Sequence, residues 1–234
     1  MRTVTFTVLA VLLASNLHAA EVGARWRVEL ISIDKLLHER KYLEAQKAVA
    51  TLTNDMMEHI GASSGATYTF AVTVAFCALA EAGLGHTEDA DWYWCVATGL
   101  FPQFEQSDLS VYGDAGSLLM AITRGLSTTY ADVKRLHDAP DDSGKVEAPR
   151  VVKRVEPRCP PGTLSRGLGG PIVVEVTISR DGTPHRPRVV SSRLAPSLAY
   201  AALEALRQWR FEPGRLNGEP VAVIFNLTVN FRQR

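Results

Sequence analysis

The chain has 234 residues, of which 46 % are hydrophobic and 21 % charged, as is typical of folded protein with room for two small domains. Its net charge is zero, which by itself indicates no class of partner, and we expect no nucleic-acid partner. The charges are nevertheless unevenly distributed. From Lys145 onward, 15 Lys and Arg stand against 7 Asp and Glu, whereas 9 stand against 18 between Thr3 and Gly144. Three arrangements fit this split: docking of one half on the other, a basic C-terminal surface for an anionic partner, or two independently solvated surfaces.

The first residues have the pattern of an export signal. Arg2 precedes an apolar run over residues 4–13, and the small residues Ala14, Ser15, Ala19 and Ala20 follow. We expect residues 1–20 to be a signal peptide cleaved after Ala19 or Ala20, and the mature protein to be periplasmic. An uncleaved anchor is the alternative, but the apolar run is shorter than the ~20 residues that span a bilayer.

Three cysteines, Cys77, Cys95 and Cys159, would then lie in an oxidising compartment. Their spacing fits no metal site. Cys77 and Cys95 fall on neighbouring predicted helices, so either a disulfide between them or two thiols is compatible with the pattern.

Residues 22–136 are predicted to be all-helical. Apolar residues recur at helical spacing in two stripes joined by a polar break, which predicts a helical hairpin: Trp26, Leu30, Ile33, Leu37 and then Tyr42, Ala45, Val49, Leu52. A second hairpin turns at residues 83–85. Its small residues resemble those of a tetratricopeptide repeat, namely Ala78, Gly85, Ala90, Ala97 and Pro102. A further helix is expected at residues 118–122.

Nothing in the helical region predicts catalysis. Residues 61–65 match the G-x-S-x-G pattern, but a helix, not a strand, precedes them, so we interpret them as a small-residue loop. His86 and His185 fall in turns. The aromatic run at residues 92–94 is interpreted as repeat core with one exposed ring. We therefore expect no catalytic residues, no metal site and no cofactor.

Residues 137–161 are rich in Pro and charge, with prolines at 140, 149, 157, 160 and 161. This composition predicts an extended linker between two domains.

The last part of the chain alternates between strand and helix patterns. An apolar alternating strand at residues 172–178 precedes the turn Arg180-Asp181-Gly182. A short amphipathic helix over residues 201–213 follows, and a second alternating strand covers residues 221–231. The predicted order is β-β-α-β. Four residues are expected in its core: Val174, Leu206, Trp209 and Phe211.

This C-terminal pattern resembles the C-terminal domain of the TonB energy-transducer family. The resemblance is carried by Gly170, Asp181-Gly182, Val190-Ser191-Ser192, the segment at 207–213 and Asn217-Gly218-Glu219-Pro220-Val221. Two positions depart from the family: Cys159-Pro160 replaces a Tyr-Pro, and Ala199 replaces an Asp. The resemblance implies a protein that binds outer-membrane receptors or other envelope proteins and performs no catalysis.

The expected whole is an α+β protein of two domains. A helical tetratricopeptide-like domain at 22–136 is joined through the linker at 137–161 to a TonB-like domain at 162–234. By topology, the strand after the helix is the edge to which an extended peptide would add, with Ile224, Asn226, Thr228 and Asn230 on its outer face. The alternative is a structural envelope module that binds peptidoglycan or forms a homodimer through the same edge.

Overall fold

The computed structural model describes residues 20–59, 65–125, 134–135, 146–159, 170–191 and 196–231. The predicted signal peptide and the G-x-S-x-G loop therefore lie almost wholly outside the described residues. The chain divides into two units, Met1–Leu126 and Ser127–Arg234. The first unit is helical and the second is built mainly of strands, so the predicted mixed α+β class is confirmed.

The N-terminal unit begins with two antiparallel helical pairs. Their bounds are α1 Ala20–His38, α2 Tyr42–His59, α3 Gly65–Gly83 and α4 Thr87–Leu100. The predicted stripe of α1 is buried, with Trp26 5 % exposed and Leu37 fully enclosed. The ring of Tyr42 occupies the space that a Cβ at Gly83 would need. The absence of a side chain at Gly83 therefore allows α2 and α3 to approach closely. None of the described helices has the length and apolar character required to cross a membrane.

Helix α3 is apolar on every side and lies at the centre of this unit. Its residues from Phe70 to Phe76 are all buried, and α1, α2, α4 and α5 all pack against it. A helix that is hydrophobic all round requires such enclosure, because no face of it is suited to water. The hairpin pattern in the sequence was sufficient to locate this helix.

A fifth helix, α5, spans Asp114–Thr123 after two short 3-10 turns at Pro102–Gln106 and Ser110–Tyr112. The indole N–H of Trp94 donates to the hydroxyl of Thr123 at 2.7 Å. Trp92, Tyr93 and Trp94 are all buried. The expectation of one exposed ring among them is wrong, because the sequence pattern did not indicate how much of α4 the following segments would cover.

The three cysteines of the described residues are thiols, and none forms a disulfide. Each is partly buried. Burial raises the pKa of the Cys159 thiol, which keeps it protonated and weakly nucleophilic at neutral pH.

The C-terminal unit is organised on a four-stranded sheet of order β1-β9-β4-β5. Its strands are β1 Lys134–Arg135, β4 Gly170–Ile178, β5 Pro184–Ser191 and β9 Val223–Phe231. Strand β4 is central and pairs antiparallel with both β5 and β9. Its inward side chains are fully enclosed: Ile172, Val174, Val176 and Ile178.

Helix α6 spans Pro196–Arg207, between β5 and β9 in the chain, and is buried on most of its surface. The predicted helix over 201–213 is therefore wrong at both ends. It starts earlier, and Arg210–Glu212 form strand β6 instead of a last helical turn. The alternation at this point is a strand pattern, since Trp209 and Phe211 are buried while Arg210 and Glu212 are exposed.

Two smaller sheets of short strands accompany the four-stranded sheet in this unit. Val146–Glu147 (β2), Gly214–Leu216 (β7) and Glu219–Val221 (β8) form one small sheet, and Arg150–Lys153 (β3) pairs with β6. The guanidinium of Arg150 lies 2.7 Å from a carboxylate oxygen of Glu212. The second half of the predicted linker at 137–161 is therefore not a free tether. A backbone partner in β6 and the β-branched Val151 and Val152 favour a strand there.

Candidate partner-binding edge of the C-terminal sheet

Strand β9 is paired on one side along its whole length. Its register with β4 runs from Val223 opposite Ile178 to Phe231 opposite Gly170, without a bulge. An uninterrupted ladder holds every second backbone N–H and C=O of β9 toward β4, so the alternate groups point away from it. These outward groups are the ones that a further strand can use.

The other side of β9 is occupied only at its start. Strand β1 pairs there in parallel, with Lys134 opposite Val223 and Arg135 opposite Ile224. From Phe225 to Phe231, no strand of the described part of the chain lies on this side. We call this side of residues 225–231 the open edge. It presents a row of backbone donors and acceptors of the kind that strands of other molecules pair with.

The side chains of β9 alternate between the two faces of the sheet. Asn226, Thr228 and Asn230 are exposed, and Ile224 is half-buried. The intervening Leu227, Val229 and Phe231 are buried. Phe225 shares their face but is only half-buried, so part of this residue is accessible beside the open edge.

The opposite border of the sheet, β5, is poorly suited to strand addition. Pro184 and Pro187 lack a backbone N–H, and Arg186 has a φ of 49°. The register between β4 and β5 also shifts twice. Prolines and bulges are the usual means by which proteins prevent pairing at an exposed border. The prolines of β5 were visible in the sequence and could have identified it as the protected border.

The four residues predicted as core of the C-terminal unit are all buried. Val174 and Leu206 are fully enclosed, and Trp209 and Phe211 are 3 % and 4 % exposed. The indole N–H of Trp209 donates to the carbonyl of Val155 at 2.8 Å, and the Arg154 guanidinium lies 5.2 Å from the ring centroid. Residues ahead of the sheet are thereby attached to its core.

The turn between β4 and β5 is attached to the core in a similar way. The carbonyl of Gly182 accepts a hydrogen bond from the N–H of Phe211 at 2.9 Å. Partial burial raises the pKa of Asp181, but hydrogen bonds donated by Ser179 and Thr183 outweigh it and lower the pKa to about 2. The ionised carboxylate therefore stabilises the turn that aligns β4.

A basic cleft lies at the end of α6. It has a volume of about 300 Å³ and is lined by five residues: Lys153, Glu204, Arg207, Gln208 and Arg210. Arg210 donates to the backbone carbonyl of Trp209 at 2.6 Å. Three basic groups against one acidic group give the cleft a net positive charge, which suits anionic groups.

One cluster in the N-terminal unit was not anticipated. The potential ligand atoms of Glu81, His86 and Asp89 lie within 4.8 Å of one another. The Glu81 carboxylate is buried and accepts a hydrogen bond from Gln46 at 2.9 Å, while His86 Nδ1 lies 2.7 Å from its other oxygen. These contacts tie α2 to the turn between α3 and α4.

The C-terminal part of the chain is similar in sequence to known proteins. Residues 155–233 match the model of the Gram-negative bacterial TonB protein C-terminal family. The chain is 33 % identical over 88 residues to Protein TonB of Vibrio cholerae, covering 37 % of this chain and 36 % of the relative. It is 29 % identical over 75 residues to Protein TonB of Xanthomonas campestris pv. campestris, covering 32 % of this chain and 34 % of that one.

A solved structure is also similar. The solution NMR structure of the Pseudomonas aeruginosa TonB CTD matches with a TM-score of 0.30 and 25 % identity, over 38 % of this chain and 91 % of that one. The chain spans about a third of the length of the curated relatives that it matches. The residues matched by the family model, 155–233, include β4, β5, α6 and the whole of β9. Residues 155–233 of this chain belong to the TonB C-terminal domain family.

Proposed function

We propose that this chain is a non-catalytic periplasmic interaction protein whose C-terminal domain binds an extended segment of another envelope protein by strand addition. The observation that carries the proposal is the open edge of β9. On one side, β9 is paired with β4 along its whole length. On the other side, no strand of the described residues pairs with β9 beyond Ile224. In this mode of recognition, main-chain hydrogen bonds provide the affinity and side chains beside the edge provide the specificity.

The chemistry of the edge favours a particular kind of partner strand. Asn226, Thr228 and Asn230 offer hydrogen-bonding groups on one face, whereas the accessible part of Phe225 offers apolar contact on the other. An incoming strand with alternating polar and apolar side chains would satisfy both faces. The relatives named Protein TonB support a TonB-dependent outer-membrane receptor as the partner.

The N-terminal helices would provide a second interaction surface in this proposal. Their two hairpins fit a tetratricopeptide-like arrangement, in which successive helical pairs form a surface for another protein. Val28 and Ile31 are 67 % and 48 % exposed and lie three residues apart, on one face of α1. Exposed apolar side chains grouped on one helix support such a role. Export by cleavage of residues 1–20 would deliver both surfaces to the periplasm.

The basic cleft favours a second candidate function, a structural module that binds peptidoglycan. Lys153, Arg207 and Arg210 could contact the carboxylates of peptide stems. Sedimentation of the full-length protein with purified sacculi tests this candidate. Loss of sedimentation in Lys153→Ala would support it, whereas equal sedimentation of the parent and of Lys153→Ala would contradict it. Homodimerisation through the open edge is a further alternative, and analytical ultracentrifugation would detect it.

Binding of a synthetic receptor peptide tests the preferred function. The peptide is taken from the periplasm-facing N-terminus of an outer-membrane receptor of the same bacterium, and its affinity is measured by calorimetry. Thr228→Pro should abolish binding, because proline removes a backbone donor and its ring obstructs the ladder. The matched variant Thr228→Ala changes only an exposed side chain and should bind within about twofold of the parent, a free-energy difference well below 1 kcal/mol.

A thermal melt provides the control for this comparison. The Thr228→Pro protein must unfold cooperatively near the parent's midpoint before its binding is interpreted. If that variant is folded and binds the peptide as tightly as the parent does, the open edge is not the binding site. Asn226→Pro provides a second substitution at the same edge if Thr228→Pro does not fold.

A further inference from the structure

Strand β1 is formed by residues that precede the family match. Lys134 and Arg135 lie about twenty residues before Glu156, where the matched segment is already under way. They nevertheless belong to the C-terminal unit and pair with its last strand. The sheet of this chain is thus extended by a segment that the sequence pattern assigned to the helical domain at 22–136, and the all-helical prediction is wrong at these two residues.

Strand β1 lies where the backbone of a bound partner strand would pair with β9. It pairs with β9 on the side away from β4, which is the side of the open edge. The backbone groups that the start of β9 directs outward are therefore occupied. Since the pairing is parallel, β1 runs in the same direction as β9, and Arg135 is its end nearer to Phe225, where the open edge begins.

We propose that Lys134–Arg135 is an intramolecular competitor of the partner strand. It occupies the first part of the edge of β9 until a partner strand displaces it. This inference rests on the proposed function, because it assigns a regulator to the same edge. A partner that pairs along the whole of β9 must remove β1.

The length and the tethering of β1 fit a displaceable competitor. A strand of two residues makes few hydrogen bonds, so it does not close the edge permanently. Its covalent attachment to the rest of the chain keeps it near β9 at an effective concentration of about 1 mM or more. A partner's apparent affinity falls by the fraction of molecules in which the edge is free. We therefore expect β1 to weaken partner binding by about three- to tenfold.

The test uses the full-length protein and two double variants. In Lys134→Pro/Arg135→Pro, the backbone donor toward β9 is removed whichever of the two residues supplies it. In Lys134→Ala/Arg135→Ala, the backbone is kept while both charges are removed. Two quantities are measured: hydrogen exchange of the outward-pointing amides among residues 223–225 without any partner, and the affinity for the synthetic receptor peptide.

The proline variant should exchange faster at the outward-pointing amides among residues 223–225 and bind the peptide about three- to tenfold more tightly, and the alanine variant should match the parent in both. Unchanged exchange in the proline variant would overturn the pairing of β1. Faster exchange with unchanged or weaker peptide affinity would overturn its role as a competitor. If neither variant nor the parent binds the peptide, the proposed function fails and the competitor role with it. The exchange data then still establish independently whether β1 pairs with β9.

Discussion

The indole N–H of Trp209 donates a hydrogen bond to the backbone carbonyl of Val155, across 2.8 Å and 54 positions of the chain. Trp209 is 3 % exposed, and its ring lies 6.1 Å from that of Phe211. The single side chain therefore fills the core beneath the sheet and also holds the strand-forming segment before residue 156 against it. Removing it should affect both.

Trp209→Ala should lower the free energy of unfolding by about 3–5 kcal/mol, because a large buried aromatic is lost and a cavity remains. A loss of that size is most of the stability of a small domain. Trp209→Phe keeps much of the buried ring and loses mainly the hydrogen bond, so it should cost less than Trp209→Ala. Denaturant titration of the full chain, followed by amide exchange in β4 and β9, measures both. Equal costs for the two variants would contradict a core role for the ring.

Gly182 should be irreplaceable for a steric reason that goes beyond its φ of 82°. A Cβ at this position would lie 1.8 Å from the carbonyl oxygen of Phe211, far inside van der Waals contact. Gly218 has a similar φ of 87°, but nothing beyond its neighbours in the chain lies within 4 Å of the point that a Cβ would occupy. Gly218→Ala should therefore cost about 1–2 kcal/mol from the backbone alone, and Gly182→Ala should cost more. Thermal melts of the two variants provide the comparison, and similar midpoints would contradict the close approach.

Much of the architecture follows from periodicity in the sequence. The stripe that begins at Trp26 forms α1, and the alternation around Val174 forms β4, because burial of one face determines both patterns. The end of α6 was mispredicted. Trp209 and Phe211 fit either a helix or a strand over so short a stretch, and only the presence of β3 makes the strand favourable.

The edge of the sheet could be predicted only in part. The outward positions Asn226, Thr228 and Asn230 follow from the alternation of β9. The pairing of Lys134 and Arg135 with β9 had no signal in the sequence, since two adjacent basic residues at the end of the predicted helical domain have no strand pattern. Contacts between segments so far apart in the chain depend on tertiary structure and leave no local periodicity.

Asp181 should give the C-terminal unit a specific acid sensitivity. Its pKa is lowered from 3.8 to about 2 in the folded protein, so the ionised form stabilises the fold. This contribution is complete above the unfolded pKa of 3.8, and it is lost as the pH falls from about 4 through about 2. Asp181→Asn should remove this part of the pH dependence. The unfolding midpoint in urea, measured between about pH 5 and about pH 2, checks it. An identical pH profile in the parent and the variant would contradict the assignment.

The most direct test of strand addition is residue-by-residue amide exchange across β9, with and without saturating receptor peptide. Amides that point toward β4 are already protected by the ladder. The amides that point outward between Phe225 and Phe231 should slow by about tenfold or more in the complex, at every second residue, because each gains a backbone acceptor. A complex that leaves the β9 amides unchanged, or protects only the N-terminal helices, would contradict binding at the open edge.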